Sequence, residues 1–275
     1  MSESNENPGA ALLFEKEGGV ATFTLNRPAS LNALTTGMFL DMERILIEVE
    51  ADEEVRVVVF KGAGPGFSSG ADLKPMTKEE RQRTEAVSFP GDRGGDILDR
   101  ANRCILRLRN LPKPVIASLH GNAVGIGCSL ALAADLRVAS ESARLGVVFS
   151  RIGLAPDGGA SYFLRDLVGT AKALELMFFG DLIPAKEALE LGLVNRVVAP
   201  DELEGATSEW AGRLASGPTL AYGFAKAAAY QGADLSLESV LDLEARNQEI
   251  AGRSHDSKEG IRAFLEKRKP EFRGR

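Results

Sequence analysis

The chain has 275 residues, of which 44% are hydrophobic and 26% charged, and its formal net charge is −6 at pH 7. This apolar content excludes an intrinsically disordered chain, and the acidic balance without a basic tract excludes a phosphate-tracking nucleic-acid binder. The most apolar charge-free run, 123–134, is too short and too glycine-rich to span a bilayer, so no membrane partner is expected.

Common catalytic side chains are scarce in this sequence, whereas glycine is abundant. Two cysteines and two histidines stand against 29 glycines. Two thiols are too few for a disulfide scaffold, and residues 1–10 lack the apolar stretch of a secretory signal. We therefore expect a cytoplasmic protein with a disordered tail over 1–10. Neither His120 nor His255 has ligand spacing to another metal-binding residue, so no metal site is predicted.

The first sixty residues alternate between strand and helix patterns. Two β-like runs, 12–14 and 20–25, flank a Gly-Gly turn and predict a hairpin. Apolar residues then recur at helical spacing, which predicts an amphipathic helix over 37–50. The near-continuous apolar run 55–61 is typical of a strand buried on both faces.

The same alternation continues in the next stretch of chain. The polar, proline-bearing segment 73–95 is interpreted as a mobile surface segment. Apolar residues at helical spacing predict a helix over 98–108, and a short strand is predicted at 114–119. A buried helix is expected to open near Gly125, followed by a strand at 136–139.

Helical periodicity dominates the sequence from about residue 160. One apolar stripe consists of Leu203, Ala206, Trp210 and Leu214, and Leu237 begins another. Two parts therefore follow the tail: a strand-helix core over 11–200 and a helical region over 201–275. The sequence predicts an α/β fold with a helical C-terminal part.

The segment 66–70 matches the G-x-S-x-G pattern of a serine-hydrolase nucleophile elbow, with Ser68 as the nucleophile. That pattern requires a strand, a sharp turn and a long helix, with an acid and a histidine further along the chain. Here Pro75 interrupts any such helix, and His120 and His255 are the only downstream histidines. The serine-hydrolase interpretation is therefore the weaker one, but it remains an alternative.

Two glycine-rich turns follow predicted strands, at 68–73 and 120–129. Small residues there leave backbone N–H groups open to a ligand, and a helix N-terminus adds partial positive charge. The second turn lacks the Gly-Lys-Ser/Thr ending of a phosphate-binding loop and the dinucleotide spacing. Ordinary alternatives are a plain loop for the first turn and close helix-to-strand packing for the second.

Asp157 stands in a third glycine-rich turn, 153–160, after Pro156. Taken alone, it is either the N-cap of a helix from about 159 or a carboxylate available as a general base. Two N–H donors aimed at one oxygen polarise a thioester carbonyl and stabilise an enolate, each worth about 3 kcal/mol in acyl-transfer precedents. A carboxylate beside them can move a proton, and this chemistry needs neither a nucleophile nor a metal.

Six motifs occur in order along the chain. They are Leu25-Asn26-Arg27-Pro28 with Leu31-Asn32-Ala33-Leu34, Ser69-Gly70-Ala71-Asp72-Leu73, Lys113-Pro114-Val115-Ile116-Ala117, Gly121 to Ser129, Gly153 to Gly159, and Phe264-Leu265-Glu266-Lys267-Arg268. In these motifs the chain resembles the crotonase family, the enoyl-CoA hydratase/isomerase superfamily. The resemblance implies a core of repeated ββα turns, a C-terminal helical trimerisation region over 201–275, and trimers that often pair as hexamers. It implies acyl-CoA substrates and no cofactor beyond their coenzyme A moiety.

The resemblance also assigns roles to individual residues. It places the two backbone donors of an oxyanion hole at Ala71 and Ile126. It implies that the acyl-CoA site includes Ser69, Gly70, Asp72, Lys74, Gly125, Ser129 and Phe149, with Phe264 and Lys267 completing the site of a neighbouring subunit. A solvated helix end is the alternative for the last two residues.

Departures from the family pattern decide the predicted reaction. The family's hydratases carry two glutamates at the positions that Ser129 and Phe149 occupy here. Water addition needs both carboxylates, so a plain hydratase is not expected. The run 149–157, with its Pro-Asp pair, resembles the phenylacetate-pathway type of enoyl-CoA isomerase, as does the ending 270–272. The sequence therefore predicts an enoyl-CoA isomerase with Asp157 as the acid and base.

Three alternatives stay open at this point. A hydratase or hydrolase of the same family would hold its water with Ser129 and Asp157. A non-catalytic acyl-CoA binder would explain the absence of both glutamates. A serine hydrolase would use Ser68.

Overall fold

The computed structural model describes residues 9–74 and 97–275, together with 3–4, 78 and 82. The strands are β1 (Glu3–Ser4), β2 (Leu12–Glu17), β3 (Val20–Leu25), β4 (Val57–Gly62), β5 (Val115–Leu119), β6 (Asn122–Val124), β7 (Leu136–Ser140), β8 (Arg144–Gly146), β9 (Ile183–Pro184) and β10 (Arg196–Val198). The α-helices are α1 (Thr36–Ala51), α2 (Ile97–Asn110), α3 (Ile126–Ala133), α4 (Ala160–Phe179), α5 (Ala185–Glu190), α6 (Leu203–Ala215), α7 (Thr219–Gly232), α8 (Leu237–Gly252) and α9 (His255–Glu266).

The larger sheet positions the loops that carry the predicted site. Its order over the described residues is β1-β2-β3-β4-β5-β7-β10. β1 to β3 pair antiparallel, and every neighbouring pair from β3 to β10 is parallel. The carboxyl ends of parallel strands meet at one edge of a sheet. The loops that follow β4 and β5 therefore lie side by side at that edge.

Both faces of this sheet are covered, as the apolar run in β4 predicts. On one face Phe60 stacks on Phe23 with ring centroids 4.7 Å apart, inside the main core that also includes α1 and α2. The neighbouring Val59 points to the opposite face, where it packs with Ile116 and Leu203 of α6. Successive residues of a strand point to opposite faces, so both must be apolar here.

A second, smaller sheet includes the start of the glycine-rich turn 120–129. β6 pairs parallel with β8, and β8 pairs antiparallel with β9. β6 leads directly into α3, and Gly125 separates the two elements. The small sheet therefore fixes the position at which α3 begins.

The α/β fold class is confirmed, and so are the hairpin, the helices and the long strands. The sequence did not indicate β6, β8, β9 and β10. Each has only two or three residues, which is too short for an alternating pattern to be recognised. Their pairing depends on partners distant in the chain, so local sequence carries little signal for them.

Two predictions concern segments of which the structure describes only some residues. The tail 1–10 was predicted to be disordered, but residues 3–4 form a short strand that pairs with residues 15–16 of β2. Most of the predicted surface segment 73–95 lies outside the described residues.

The C-terminal part is helical, as predicted, and its last residues return to the sheet. Asp256 at the start of α9 accepts the backbone N–H groups of Arg273 at 2.6 Å and Gly274 at 2.7 Å. Gly274 contacts Arg56, which immediately precedes β4. The tail thus lies at the amino end of β4, away from the loop edge. No helix among the described residues is long and apolar enough to cross a membrane.

Candidate active site

The two predicted donor turns run side by side in the structure. Ser68 donates its backbone N–H to Asn122 at 2.9 Å and accepts the N–H of Val124 at 3.0 Å. The turns then approach so closely that a Cβ on Gly70 would lie 3.1 Å from the Val124 carbonyl oxygen and 3.7 Å from the Gly125 Cα. Ala71 and Ile126, the next residues in each turn, are therefore neighbours.

Both predicted donor groups are available at this edge of the sheet. The Gly70 carbonyl and the Asp72 N–H both bond to Leu34, at 2.7 and 2.8 Å. In an extended segment the intervening Ala71 N–H faces the other way. Ile126 is the first residue of α3, where an N–H has no acceptor within the helix. The left-handed φ of +55° at Gly125 turns the chain into that helix.

Asn32 organises the first donor turn, although its motif in the sequence did not indicate this role. Its side chain is fully buried, and its Nδ2 donates to the carbonyls of Ala63 and Gly66, at 2.8 Å each. Its Oδ1 accepts the N–H of Arg27 at 2.8 Å. One amide therefore holds together the loop after β3 and the loop after β4.

Asp72 anchors the same turn through a charged pair. Its carboxylate lies 2.8 Å from the Arg27 guanidinium and accepts the Lys74 N–H at 3.1 Å. Partial burial would raise the pKa of Asp72, but the Lys74 N–H and Arg27 outweigh it and leave the pKa below its usual value. Asp72 is thus held as a carboxylate within the loop.

The turn that carries Asp157 sits directly on the start of α3. The hydroxyl of Ser129 donates to the Asp157 carbonyl at 2.9 Å. A Cβ on Gly158 would lie 2.9 Å from the Ser129 Cβ and 3.2 Å from the Ile126 Cγ1. Asp157 is therefore adjacent to the helix end that presents the second donor.

The Asp157 carboxyl group is half-buried and does not cap a helix. Helix α4 begins at Ala160 with Gly159 as its N-cap and no side-chain capping bond. Oδ1 of Asp157 is buried without a hydrogen-bond partner among the described residues. Burial raises the pKa of this carboxyl to about 6. The capping interpretation is wrong, and the carboxyl has the pKa of a general base.

The structure also excludes Ser68 as a hydrolase nucleophile. Its hydroxyl is buried, donates to the Asn32 carbonyl at 2.8 Å and accepts the Gly70 N–H at 3.2 Å. His120 bonds the Gly64 carbonyl through Nε2 at 2.9 Å, and His255 lies against Asp256. The Ser68 hydroxyl therefore stabilises the turn. The described hydrogen bonds of both histidines are made with other groups, so neither histidine is placed to act as its base.

Comparison with known proteins identifies the family. The family model described as Enoyl-CoA hydratase/isomerase matches residues 15–275. The chain belongs to the enoyl-CoA hydratase/isomerase family.

Relatives in this family have names of two kinds. The 1,2-epoxyphenylacetyl-CoA isomerase of Escherichia coli is 37% identical over 96% of this chain and 98% of its own length. The short-chain-enoyl-CoA hydratase of Clostridium acetobutylicum is 38% identical over 94% of this chain and 96% of its own. The crystal structure of an enoyl-CoA hydratase from Bacillus anthracis has a TM-score of 0.86 at 32% identity, covering 97% of this chain and 100% of that chain.

The two positions expected to hold glutamates in hydratases of the family contain no carboxylate here. Ser129 is fully buried and its hydroxyl binds main-chain carbonyls, whereas Phe149 is a buried part of the main core. Because Asp72 is paired with Arg27, the carboxylate next to the donor turns whose Oδ1 has no hydrogen-bond partner among the described residues is Asp157.

The remaining predicted coenzyme A residues lie in two places. Ser69 is half-buried beside Ser30, with 3.4 Å between its hydroxyl and the Ser30 carbonyl, and Lys74 is exposed two residues after Asp72. Phe264 is 82% exposed near the end of α9, and Lys267 caps that helix with a left-handed φ of +53°. No described contact joins these last two to the donor turns of the same chain, so their role at a neighbouring site stays a prediction.

Proposed function

We propose that this protein isomerises the double bond of an enoyl-CoA thioester. The observation that carries the proposal is the half-buried Asp157 carboxyl, whose Oδ1 has no hydrogen-bond partner among the described residues and which lies beside the helix start that holds Ile126. A carboxyl in this state can accept a proton and return it, while the nearby backbone donors hold the thioester oxygen.

In the proposed reaction the thioester oxygen accepts hydrogen bonds from the N–H groups of Ala71 and Ile126. Asp157 removes a proton from the α-carbon of a 3-enoyl chain, and the electron pair of the broken C–H bond is delocalised onto the carbonyl oxygen and the γ-carbon as a dienolate. Asp157 then returns the proton to the γ-carbon, which leaves the double bond between the α- and β-carbons, or the reverse sequence takes place. No water is consumed, and no cofactor beyond the coenzyme A moiety of the substrate is needed.

The pKa of Asp157 suits this cycle. At about 6 it leaves most of the carboxyl ionised at pH 7, so that the group can act as a base. The same value makes the protonated form a competent donor in the second step. An ordinary exposed aspartate, with a pKa near 4, would be a weaker base.

Isomerisation is favoured over hydration because the second carboxylate is missing. Activation of a water molecule by this family's hydratases is expected to need both glutamate positions, which here hold Ser129 and Phe149. The buried Phe149 adds apolar surface where a hydratase would hold its water.

The test follows 3-enoyl-CoA by the absorbance of the conjugated thioester that forms. We expect turnover by the wild type and a loss on the order of a hundredfold in Asp157→Asn, which keeps the shape but cannot accept the proton. Full activity in that variant would contradict the role of Asp157. Tight binding of acyl-CoA without turnover over several chain lengths would instead favour a binding protein.

Hydratase names among the relatives make hydration the second candidate. Reaction in water enriched in oxygen-18 separates the two outcomes, since hydration places the label in the product and isomerisation does not. Incorporation of one labelled oxygen per turnover would replace the isomerase proposal by a hydratase that holds its water with Ser129 and Asp157.

We further propose that the protein assembles as a homotrimer or as a pair of trimers through its C-terminal helices. Leu237 and Leu241 of α8 are 74% and 55% exposed in the single chain, and Phe264 and Leu265 of α9 are also exposed. Light scattering should give a trimeric or hexameric mass that falls in Leu237→Glu/Leu241→Glu. Leu106→Glu, at an equally exposed leucine of α2, is the matched control.

A further inference from the structure

Ser129 lies between the two parts of the proposed site. It belongs to the first turn of α3, three residues after Ile126, and its side chain is fully buried. Its hydroxyl lies 2.9 Å from the Asp157 carbonyl oxygen and 3.4 Å from that of Gly125. The shorter bond joins α3 to the turn that bears Asp157.

The turn that bears Asp157 packs tightly against α3 at Ser129, with no room for a side chain at position 158. Gly158 has a left-handed φ of +57°, and even a Cβ there would lie 2.9 Å from the Ser129 Cβ. Serine is the smallest side chain that can donate a hydrogen bond across this gap. Burial of the hydroxyl keeps the bond out of competition with water.

Little else among the described residues fixes the Asp157 turn to α3. The carbonyl of Asp157 also accepts the Ala160 N–H at 3.1 Å, but that bond lies within the turn and α4. The carboxyl Oδ1 has no partner, and two left-handed glycines, Gly158 and Gly159, follow it. The Ser129 hydroxyl is therefore the polar tie between the turn and the helix.

We propose that Ser129 is a positioning residue, which holds the Asp157 carboxyl at a fixed place relative to the Ile126 N–H. The reason is geometric: Ser129 and Ile126 belong to one rigid helical turn, so a bond from Ser129 to Asp157 transmits that rigidity to the acid and base. This role rests on the proposed function, because it concerns the carboxyl that would move the proton. A misplacement of a reacting group by about 1 Å can cost on the order of a hundredfold in rate.

The test compares Ser129→Ala with Ser118→Ala. Ser118 of β5 is also buried and shares a 2.9 Å hydrogen bond with the Thr207 hydroxyl. Thr207 belongs to α6, so this bond lies on the face of the sheet that α6 covers and not at the Asp157 turn. In Ser129→Ala we expect kcat to fall on the order of tenfold while KM changes less than about twofold. Ser118→Ala should lose comparable stability and keep its kcat.

A second readout does not depend on turnover. The carboxyl band of Asp157 is isolated by infrared difference against Asp157→Asn in each background and titrated. We expect a midpoint near 6 in the wild type and a lower midpoint in Ser129→Ala, because a loosened turn admits water to the carboxyl. Ser118→Ala should retain the wild-type midpoint.

An unchanged midpoint and an unchanged kcat in Ser129→Ala would overturn the positioning role. If the wild type fails to isomerise any 3-enoyl-CoA but the midpoint still moves in Ser129→Ala, the proposed function fails, and only the structural coupling of Ser129 to the Asp157 carboxyl is retained. Ser129→Cys preserves the shape with a weaker donor, and an intermediate midpoint is expected. It provides the same test if Ser129→Ala does not fold.

Discussion

Gly127 lies so close to Ser68 that a Cβ at position 127 would be 2.6 Å from the Ser68 Cβ and Oγ. Gly127 is the second residue of α3, and Ser68 stands in the first donor turn. This contact, together with the Ser68 hydrogen bonds, sets the separation of the two turns. The spacing between the Ala71 and Ile126 N–H groups therefore depends on the absence of a side chain at position 127.

Gly127→Ala should move the two turns apart, so that the N–H groups of Ala71 and Ile126 can no longer both donate to one oxygen. We expect a loss of about 1–3 kcal/mol in the free energy of unfolding from overpacking and a fall in kcat on the order of a hundredfold. Denaturant unfolding and the 3-enoyl-CoA assay measure both. At Gly212 in α6, a Cβ would meet nothing within 4 Å. Gly212→Ala should therefore raise the free energy of unfolding by about 0.5–1 kcal/mol. Wild-type turnover in Gly127→Ala would contradict this account.

The pH dependence of kcat/KM should follow the Asp157 carboxyl. The group must be ionised to take a proton, so kcat/KM is expected to rise with pH, with a midpoint near 6, and to be lost as the pH falls below it. Among the described residues, burial is the cause of the raised pKa of Asp157. A pH–rate profile with a constant ionic strength checks this. A midpoint near 4 would mean that the carboxyl is solvated in the working enzyme.

Asp157→Asn should stabilise the protein at neutral and alkaline pH although it lowers turnover on the order of a hundredfold. Since the folded state raises the pKa of Asp157 above its unfolded value, ionisation costs stability above pH 6 and costs nothing below about pH 4. Because water still reaches part of the carboxyl, we expect the free energy of unfolding of Asp157→Asn to exceed that of the wild type by only about 1 kcal/mol at pH 8. This corresponds to ~2 °C in Tm, and the difference should vanish at pH 4. An equal Tm at both pH values would contradict the burial argument.

Asn32→Ala should destabilise the protein and disorder the first donor turn. Three hydrogen bonds are lost, and alanine adopts the left-handed φ of +55° less readily than asparagine. We expect a cost of about 3 kcal/mol or more in the free energy of unfolding. Asn110→Ala, at an exposed position at the end of α2, should change it by less than ~0.5 kcal/mol. Equal effects at the two positions would rule out the organising role of Asn32.

The sequence by itself determined the α/β fold class and the family. The hairpin, the buried strand β4 and the amphipathic helices were predictable because their apolar residues repeat over enough positions to produce a period. The family could be recognised from the sequence because its motifs are local runs of residues. The strands β6 and β8 were not predictable, since a strand of three residues is too short to show a period and their pairing depends on segments far apart in the chain.

Asp157 illustrates what only the tertiary structure decided. In the sequence taken alone, its Pro-Asp-Gly-Gly turn favoured a helix cap, and only the resemblance to the family favoured a general base. The fold places that turn on Ser129 and Ile126 and buries Oδ1 without a hydrogen-bond partner among the described residues. This burial raises the pKa of the carboxyl to about 6. The physical reason is that burial and the loss of hydrogen-bond partners are properties of assembled surfaces, whereas the residue type alone sets only the ordinary pKa.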